Sequence, residues 1–291
     1  MSEFESLLGS YQKRINQTLE GLLPSDDSIL SEAMRYSVLN GGKRLRPILV
    51  YLSSELGEAS HDSIDTLAGS IELIHCYSLI HDDLPSMDDD DLRRGNPTTH
   101  KKYDEATAIL AGDALQPLAF ELISNLDTSD SNKITIVNCL ANACGYSGMV
   151  GGQIKDIHSK EINTVQDLDI MHSQKTGRLI QASLETSGIL SGLDQKDIEA
   201  LNKYGEKIGL AFQIQDDIID IESPSSISGK DQGSDINQNK ITYPSIVGLE
   251  ESRTRARELA SEAKEILHLS HKNADNLPVS YTHLTLPTSQ Y

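Results

Sequence analysis

The sequence predicts an all-α, single-domain helical bundle around a central cavity, and three observations carry that prediction. Apolar residues recur at helical spacing over long stretches, and no run alternates as a half-buried strand would. Aromatics are sparse, with no Trp and three Phe, so the core must be built of aliphatic side chains on helices. At 291 residues the chain can bury a substantial core; residues 1–277 are expected to form the domain.

Taken in order, Ser25 is placed to cap a helix that Gly41-Gly42 ends, and Pro47 to open one that stops near Gly57. Ile64, Leu67, Ala68, Ile71, Ile74 and Ser78 share a helix face. So do Ile198, Leu201, Tyr204, Ile208, Ala211, Gln215 and Ile219. Both of these helices run into an aspartate motif. Further helices are expected near 104–125, 132–148, 165–188 and 251–269. Between Glu222 and Pro244 the chain reads ESPSSISGKDQGSDINQNKITYP, which cannot be regular helix; a loop of this length is either functional, as a lid over a bound anion, or disordered. The last stretch, residues 278–291, loses both helical period and charge, and reads as an irregular tail or a non-native addition.

Lys and Arg number 25 against 44 Asp and Glu, a formal charge of −19 that argues against a nucleic-acid backbone or an anionic membrane as partner. The three cysteines have no CxxC spacing, which fits a reducing cytoplasm. Neither a signal pattern nor an uninterrupted membrane-length apolar run is present, so stable membrane insertion is not expected.

The acids are concentrated. DDLPSMD spans Asp82–Asp88 and DDIID spans Asp216–Asp220. In the second, Asp216 and Asp220 share a helix face with Gln213 a turn earlier. In the first, Asp82 and Asp88 would stand about 240° apart on an ideal helix. Pro85 disfavours helix at Leu84, so a looped ending that folds Asp88 back is expected. Carboxylates so close repel unless a divalent ion joins them, and magnesium, usually held by one or two carboxylates and completed by water and phosphate, suits the pattern. The bland alternative is a pair of solvated acidic helix ends. An EF-hand fails on spacing, with neither the turn glycine nor the twelfth-position glutamate.

Cations complement the acids. GGKRLRP sets Lys43, Arg44 and Arg46 beside two glycines, a phosphate cradle by chemistry though not a Walker loop. Arg93 and Arg94 follow the acidic run; Lys175, Thr176 and Lys230 add donors in or beside loops. His75, two turns before Asp82, suits a diphosphate contact or a satisfied core position equally.

With GGKRLRP, HDDLPSMDDDDLRRG, KTG and FQIQDDIID in this order, the chain resembles the trans-isoprenyl diphosphate synthases, specifically the bacterial farnesyl diphosphate synthase type, over about residues 22–267. The resemblance implies an isoprenoid-synthase fold, a homodimer, and condensation of isopentenyl diphosphate with dimethylallyl and then geranyl diphosphate. It assigns Lys43, Arg46, His75 and Arg94 to isopentenyl diphosphate, and Arg93, Lys175 and Lys230 to the allylic diphosphate. Asp82 and Asp88, supported by Asp83, and Asp216, with Asp217 and Asp220 beside it, become magnesium ligands. Thr176 and Gln213 line the reacting allyl group. Departing pyrophosphate serves as base in the family, so no Ser-His-Asp set is required. Tyr77 and Ser78, just before the first motif, fall where the family sets product length, and an aromatic there implies a fifteen-carbon product, unless Tyr77 merely packs between helices. One departure is the irregular tail where the family has an apolar helix and a basic terminus. A geranylgeranyl synthase is the neighbouring reading, and a non-catalytic synthase subunit the more distant one. A class I terpene cyclase would have no use for GGKRLRP.

Overall fold

The computed structural model describes residues 3–222, 241–268, 276 and 277. Helices dominate: α1 Glu3–Leu22, α2 Ile29–Leu39, α3 Leu45–Ser54, α4 His61–Asp82, α5 Thr99–Lys102, α6 Glu105–Ser124, α7 Asp130–Cys144, α8 Met149–Ile157, α9 Val165–His172, α10 Arg178–Leu190, α11 Gln195–Glu222, α12 Tyr243–Val247 and α13 Leu249–His268. The all-α expectation holds but for one feature. A two-residue hairpin, β1 Leu92–Arg93 and β2 Asn96–Pro97, pairs Arg93 with Asn96 across Arg94-Gly95. Both turn residues have positive φ, 55° and 77°, the signature of a type I′ turn, and periodicity cannot reveal a ladder this short.

The chain divides into two compact units, residues 1–51 with 59–137, and residues 52–58 with 138–291. In the first, α6 packs on α4 and α2, and α1 lies on α4 and α2. The α1 helix has no counterpart among the expected elements. Ser28, not Ser25, caps α2: its hydroxyl accepts the Ser31 N–H at 3.1 Å. Likewise α3 starts at Leu45, with Pro47 inside its first turn, where the missing N–H costs no hydrogen bond. By length and composition α6 could cross a membrane, the one such helix among the described residues; a third of that stretch, 33%, is buried, with Ala108, Ala111, Leu115 and Ala119 in the core.

In the second unit α11 is the spine, covered by α10 and α13. Its core gathers Leu168, Met171, Ala211, Ile214, Ile218, Tyr243 and Leu259. The expected helix over 165–188 is interrupted in kind rather than broken: α9 passes into a π turn, Ser173–Gly177, and continues as α10. Residues 223–240, most of the expected lid, and the tail 278–291 lie outside the described residues.

Candidate active site

The first unit carries the cationic cradle. After α2, Gly41 and Gly42 take φ of 81° and 120°, a path open to residues without a Cβ. The hairpin turn brings Arg94 back to this loop, where its Nη1 donates to the Gly41 carbonyl. Gln12 donates to the Lys43 carbonyl at 3.3 Å, fixing the next peptide. Arg46 is buried; burial lowers its pKa to about 10, with Glu72 and Cys76 opposing and Arg94 adding to the drop. His75 is half-buried on α4 and its pKa lies well below the ordinary value, by desolvation first and then by the charges of Arg46, Arg94, Arg93 and Arg44. It is therefore neutral near pH 7 and offers both a donor and an acceptor nitrogen. A cavity of about 30 Å³ opens among Tyr36, Cys76, Asp83, Arg93, Arg94 and Thr99, room for a water molecule.

The first motif ends as its proline requires. The helix stops at Asp82, and the backbone N–H of Asp88 donates to the Asp82 carbonyl at 2.9 Å, while Met87 and Asp89 close on Leu84 at 2.9 and 3.1 Å. This brings the Asp82 and Asp88 backbones together across six residues that a helix would have kept apart. Thr98 closes the far end, its hydroxyl donating to the Asp90 carbonyl at 2.8 Å and its N–H to that of Asp91 at 3.0 Å.

Asp83, expected as a supporting metal ligand, is engaged by an arginine in this structure. It is 3% exposed and receives the Arg93 guanidinium on both oxygens, Nε at 2.8 and 3.1 Å; Arg93 also donates to Asp90 at 3.1 Å. Burial by itself would lower the Arg93 pKa, but Asp83, through charge and hydrogen bond, and then Asp90 raise it overall. The carboxylate is thereby given to orienting an arginine. Tyr77 is buried and meets the His81 ring edge-on at 5.9 Å, and the Ser78 hydroxyl donates to the His75 carbonyl at 2.8 Å. His81, to which the sequence assigned no role, lies 3.1 Å from the Ile109 carbonyl and fills the space above Gly112, where a Cβ would meet its Nε2 at 2.3 Å.

The second unit builds around the π turn. Lys175 and Thr176 sit inside it, not in a loop, and Lys175 Nζ meets the buried Asp156 at 2.5 Å. Two glycines seat the turn: a Cβ on Gly152 would stand 2.2 Å from the Lys175 nitrogen, and one on Gly209 2.7 Å from the Gly177 Cα. Wide turns of this kind re-aim side chains within a helix and are frequent at functional sites. Here the Thr176 hydroxyl donates to Gln213 Oε1 at 2.8 Å.

On α11 Asp216 is exposed and Asp220 half-buried, as the four-residue spacing predicts. Asp217 turns the other way. At 3% exposed, it accepts from Gln213 at 3.3 Å and from the Tyr243 backbone N–H at 2.9 Å, and stands 3.4 Å from His172 Nε2. The Tyr243 hydroxyl in turn donates to Asp169. This ties the second motif, through Asp217, to the start of α12. Among the described residues no three His, Cys, Asp or Glu groups are already gathered to hold a metal. That is compatible with magnesium, which takes few protein carboxylates and relies on phosphate. Lys230 lies outside the described residues. Sequence reasoning passed over Glu72, Asp156 and Tyr243, since a single acid or tyrosine carries no signal until its partner is known.

A family model for polyprenyl synthetase matches residues 27–277. The farnesyl diphosphate synthase of Escherichia coli is 45% identical over 273 residues, 91% of each chain. A heterodimeric geranylgeranyl pyrophosphate synthase large subunit of Arabidopsis thaliana is 42% identical over 91% of this chain and 74% of its own. Among solved structures, a geranyltransferase from Helicobacter pylori complexed with magnesium and isoprenyl diphosphate superposes with a TM-score of 0.86 at 34% identity, covering 98% of this chain and 97% of that one.

Proposed function

As the chain belongs to the polyprenyl synthetase family, we propose that it is a short-chain prenyltransferase that condenses isopentenyl diphosphate with dimethylallyl and geranyl diphosphates to give farnesyl diphosphate. One observation carries the reading from geometry: in a single unit, the Asp82–Asp88 fold-back lies next in sequence to a hairpin whose Arg94 reaches the Gly41-Gly42 loop. Carboxylates for a metal-bound diphosphate and cations for a metal-free one are thus supplied side by side.

Asp82 and Asp88, with Asp216 and Asp220, fit magnesium by donor type, since all four are hard oxygen ligands on exposed or half-buried carboxylates. When bound, magnesium supplies the positive charge that draws electrons from the allylic diphosphate as its carbon–oxygen bond breaks. Arg93, held by Asp83, and Lys175, held by Asp156, orient that diphosphate, with Lys230 as a third cation. Thr176 and Gln213, already joined, line the allyl group. Lys43, Arg46, Arg94 and neutral His75 hold isopentenyl diphosphate without metal, so its own carbon–oxygen bond stays intact while its alkene is positioned for attack. Tyr77 limits chain length with Ser78 beside it, favouring the fifteen-carbon over the twenty-carbon product. The enzyme works in the cytoplasm as a homodimer; free Cys76, Cys139 and Cys144 suit a reducing compartment.

The test is incubation with isopentenyl and geranyl diphosphates, with and without magnesium, followed by sizing of the product. Magnesium-dependent formation of farnesyl diphosphate is expected; no elongation overturns the reading, and a twenty-carbon product shifts it to a geranylgeranyl synthase.

A further inference from the structure

We infer that Arg44 and Glu72 form a buried positioning pair that sets the isopentenyl diphosphate cradle, with Arg44 itself taking no diphosphate. The inference rests on the prenyltransferase reading for the identity of the ligand. By sequence, Arg44 stands in a run of three cations and would be given to the anion with Lys43 and Arg46. The structure turns it inward. Its side chain is 1% exposed, and its guanidinium donates at all three nitrogens: Nη1 to Glu72 at 2.8 Å, Nε to Asn16 at 3.0 Å and Nη2 to the Val38 carbonyl at 2.7 Å. These partners belong to α4, α1 and the end of α2, so one side chain pins the loop to three helices.

The backbone bears the cost of this. Arg44 has φ of 53°, a left-handed conformation that a residue with a Cβ holds only when its surroundings over-determine it. Its own carbonyl accepts the Ile48 N–H at 3.0 Å, so the strained residue also starts α3 and sets the direction in which Arg46 leaves the loop. Lys43 precedes it directly. A change at Arg44 therefore swings both flanking cations.

Glu72 does more than hold Arg44. Its side chain is 2% exposed, and Oε2, a buried atom, has no hydrogen-bond partner among the described residues; neither has Nε of Arg46. Of the charges acting on Arg46, that of Glu72 is the foremost in favouring its protonated form. One carboxylate thus balances two buried arginines, one turn before His75 on the same helix. Removing it leaves both cations desolvated without compensation.

The test compares Arg44→Lys, Glu72→Gln, Glu72→Asp and the charge-free double variant Arg44→Met/Glu72→Met. Steady-state KM for each substrate, calorimetric titration with isopentenyl diphosphate without metal, and thermal unfolding are measured on the full chain. Arg44→Lys and Glu72→Gln are each expected to weaken isopentenyl diphosphate about tenfold or more while KM for geranyl diphosphate stays within about twofold, and Glu72→Asp to restore part of the loss. The double variant is expected to unfold no earlier than either single one and yet to keep the weakened binding. Glu72→Gln that leaves isopentenyl diphosphate binding intact while Arg44→Lys weakens it would make Arg44 a direct ligand and overturn the inference. Equal losses on both substrates, or full recovery of binding in the double variant, would overturn it as well. Should the single variants fail to fold, the double variant decides. Absence of turnover by the unsubstituted enzyme would count against the prenyltransferase reading alone, because the calorimetric comparison still reads the pair.

Discussion

Arg94 lies so close over Gly42 that a Cβ at position 42 would stand 2.5 Å from its Cζ. Glycine there is required twice, by this approach and by a φ of 120°. Gly42→Ala should displace Arg94 and strain the loop, costing about 1–2 kcal/mol of stability and raising KM for isopentenyl diphosphate about tenfold. Denaturant unfolding and substrate-by-substrate kinetics check this; unchanged kinetics would remove Arg94 from the cradle.

Asp83→Ala removes the carboxylate that Arg93, 21% exposed, engages on both oxygens, and leaves it the Asp90 ion pair at 3.1 Å and the nearby charge of Asp82. A loss of about 3 kcal/mol is expected, typical of breaking a buried pair. KM for the allylic substrate should rise as Arg93 loses its aim. An equally stable variant whose magnesium requirement alone had changed would return Asp83 to the metal ligands.

The two adjacent aspartates of the second motif should separate cleanly. Asp216→Ala, on an exposed carboxylate, is expected to change stability by less than about 0.5 kcal/mol and to lower kcat by a factor of about a hundred or more. Asp217→Ala orphans the Tyr243 N–H and should cost about 2 kcal/mol. Thermal unfolding beside turnover distinguishes them, and equal stability in both variants would refute the anchor role.

The depressed pKa of His75 makes stability depend on pH. Because the folded state resists protonating this group below its ordinary value of 6.5, the unfolded chain binds the extra proton first. Stability from this residue is complete above that value and is lost as pH falls below it. His75→Asn should therefore flatten the wild-type slope of unfolding free energy between about pH 5 and 6.5. Parallel slopes in the two proteins would contradict the shift.

Tyr77→Ala removes a buried ring that meets His81. About 3 kcal/mol of stability should go with it, and products longer than fifteen carbons should appear. A product still confined to fifteen carbons would discredit the aromatic floor.

The helical class, the two long helices that end in aspartates, and the back-folded Asp88 were all legible in the sequence, because each follows from local rules: spacing of apolar residues, or the geometry that proline forbids. Resemblance supplied the roles of Lys43, His75 and Lys175, which spacing by itself left open. Spacing did not distinguish the neighbours within a motif, and resemblance ranked Asp82 over Asp83 and Asp216 over Asp217 and passed over Arg44 without supplying a physical reason. Asp82 from Asp83, Asp216 from Asp217, and Arg44 from Lys43 and Arg46 are alike in charge and adjacent in the chain. Tertiary packing decided among them, because a buried charge survives only where a distant partner meets it: Arg93 for Asp83, the Tyr243 N–H for Asp217, and Glu72 for Arg44. Those partners come from ten to 28 residues away, farther than any local pattern reaches.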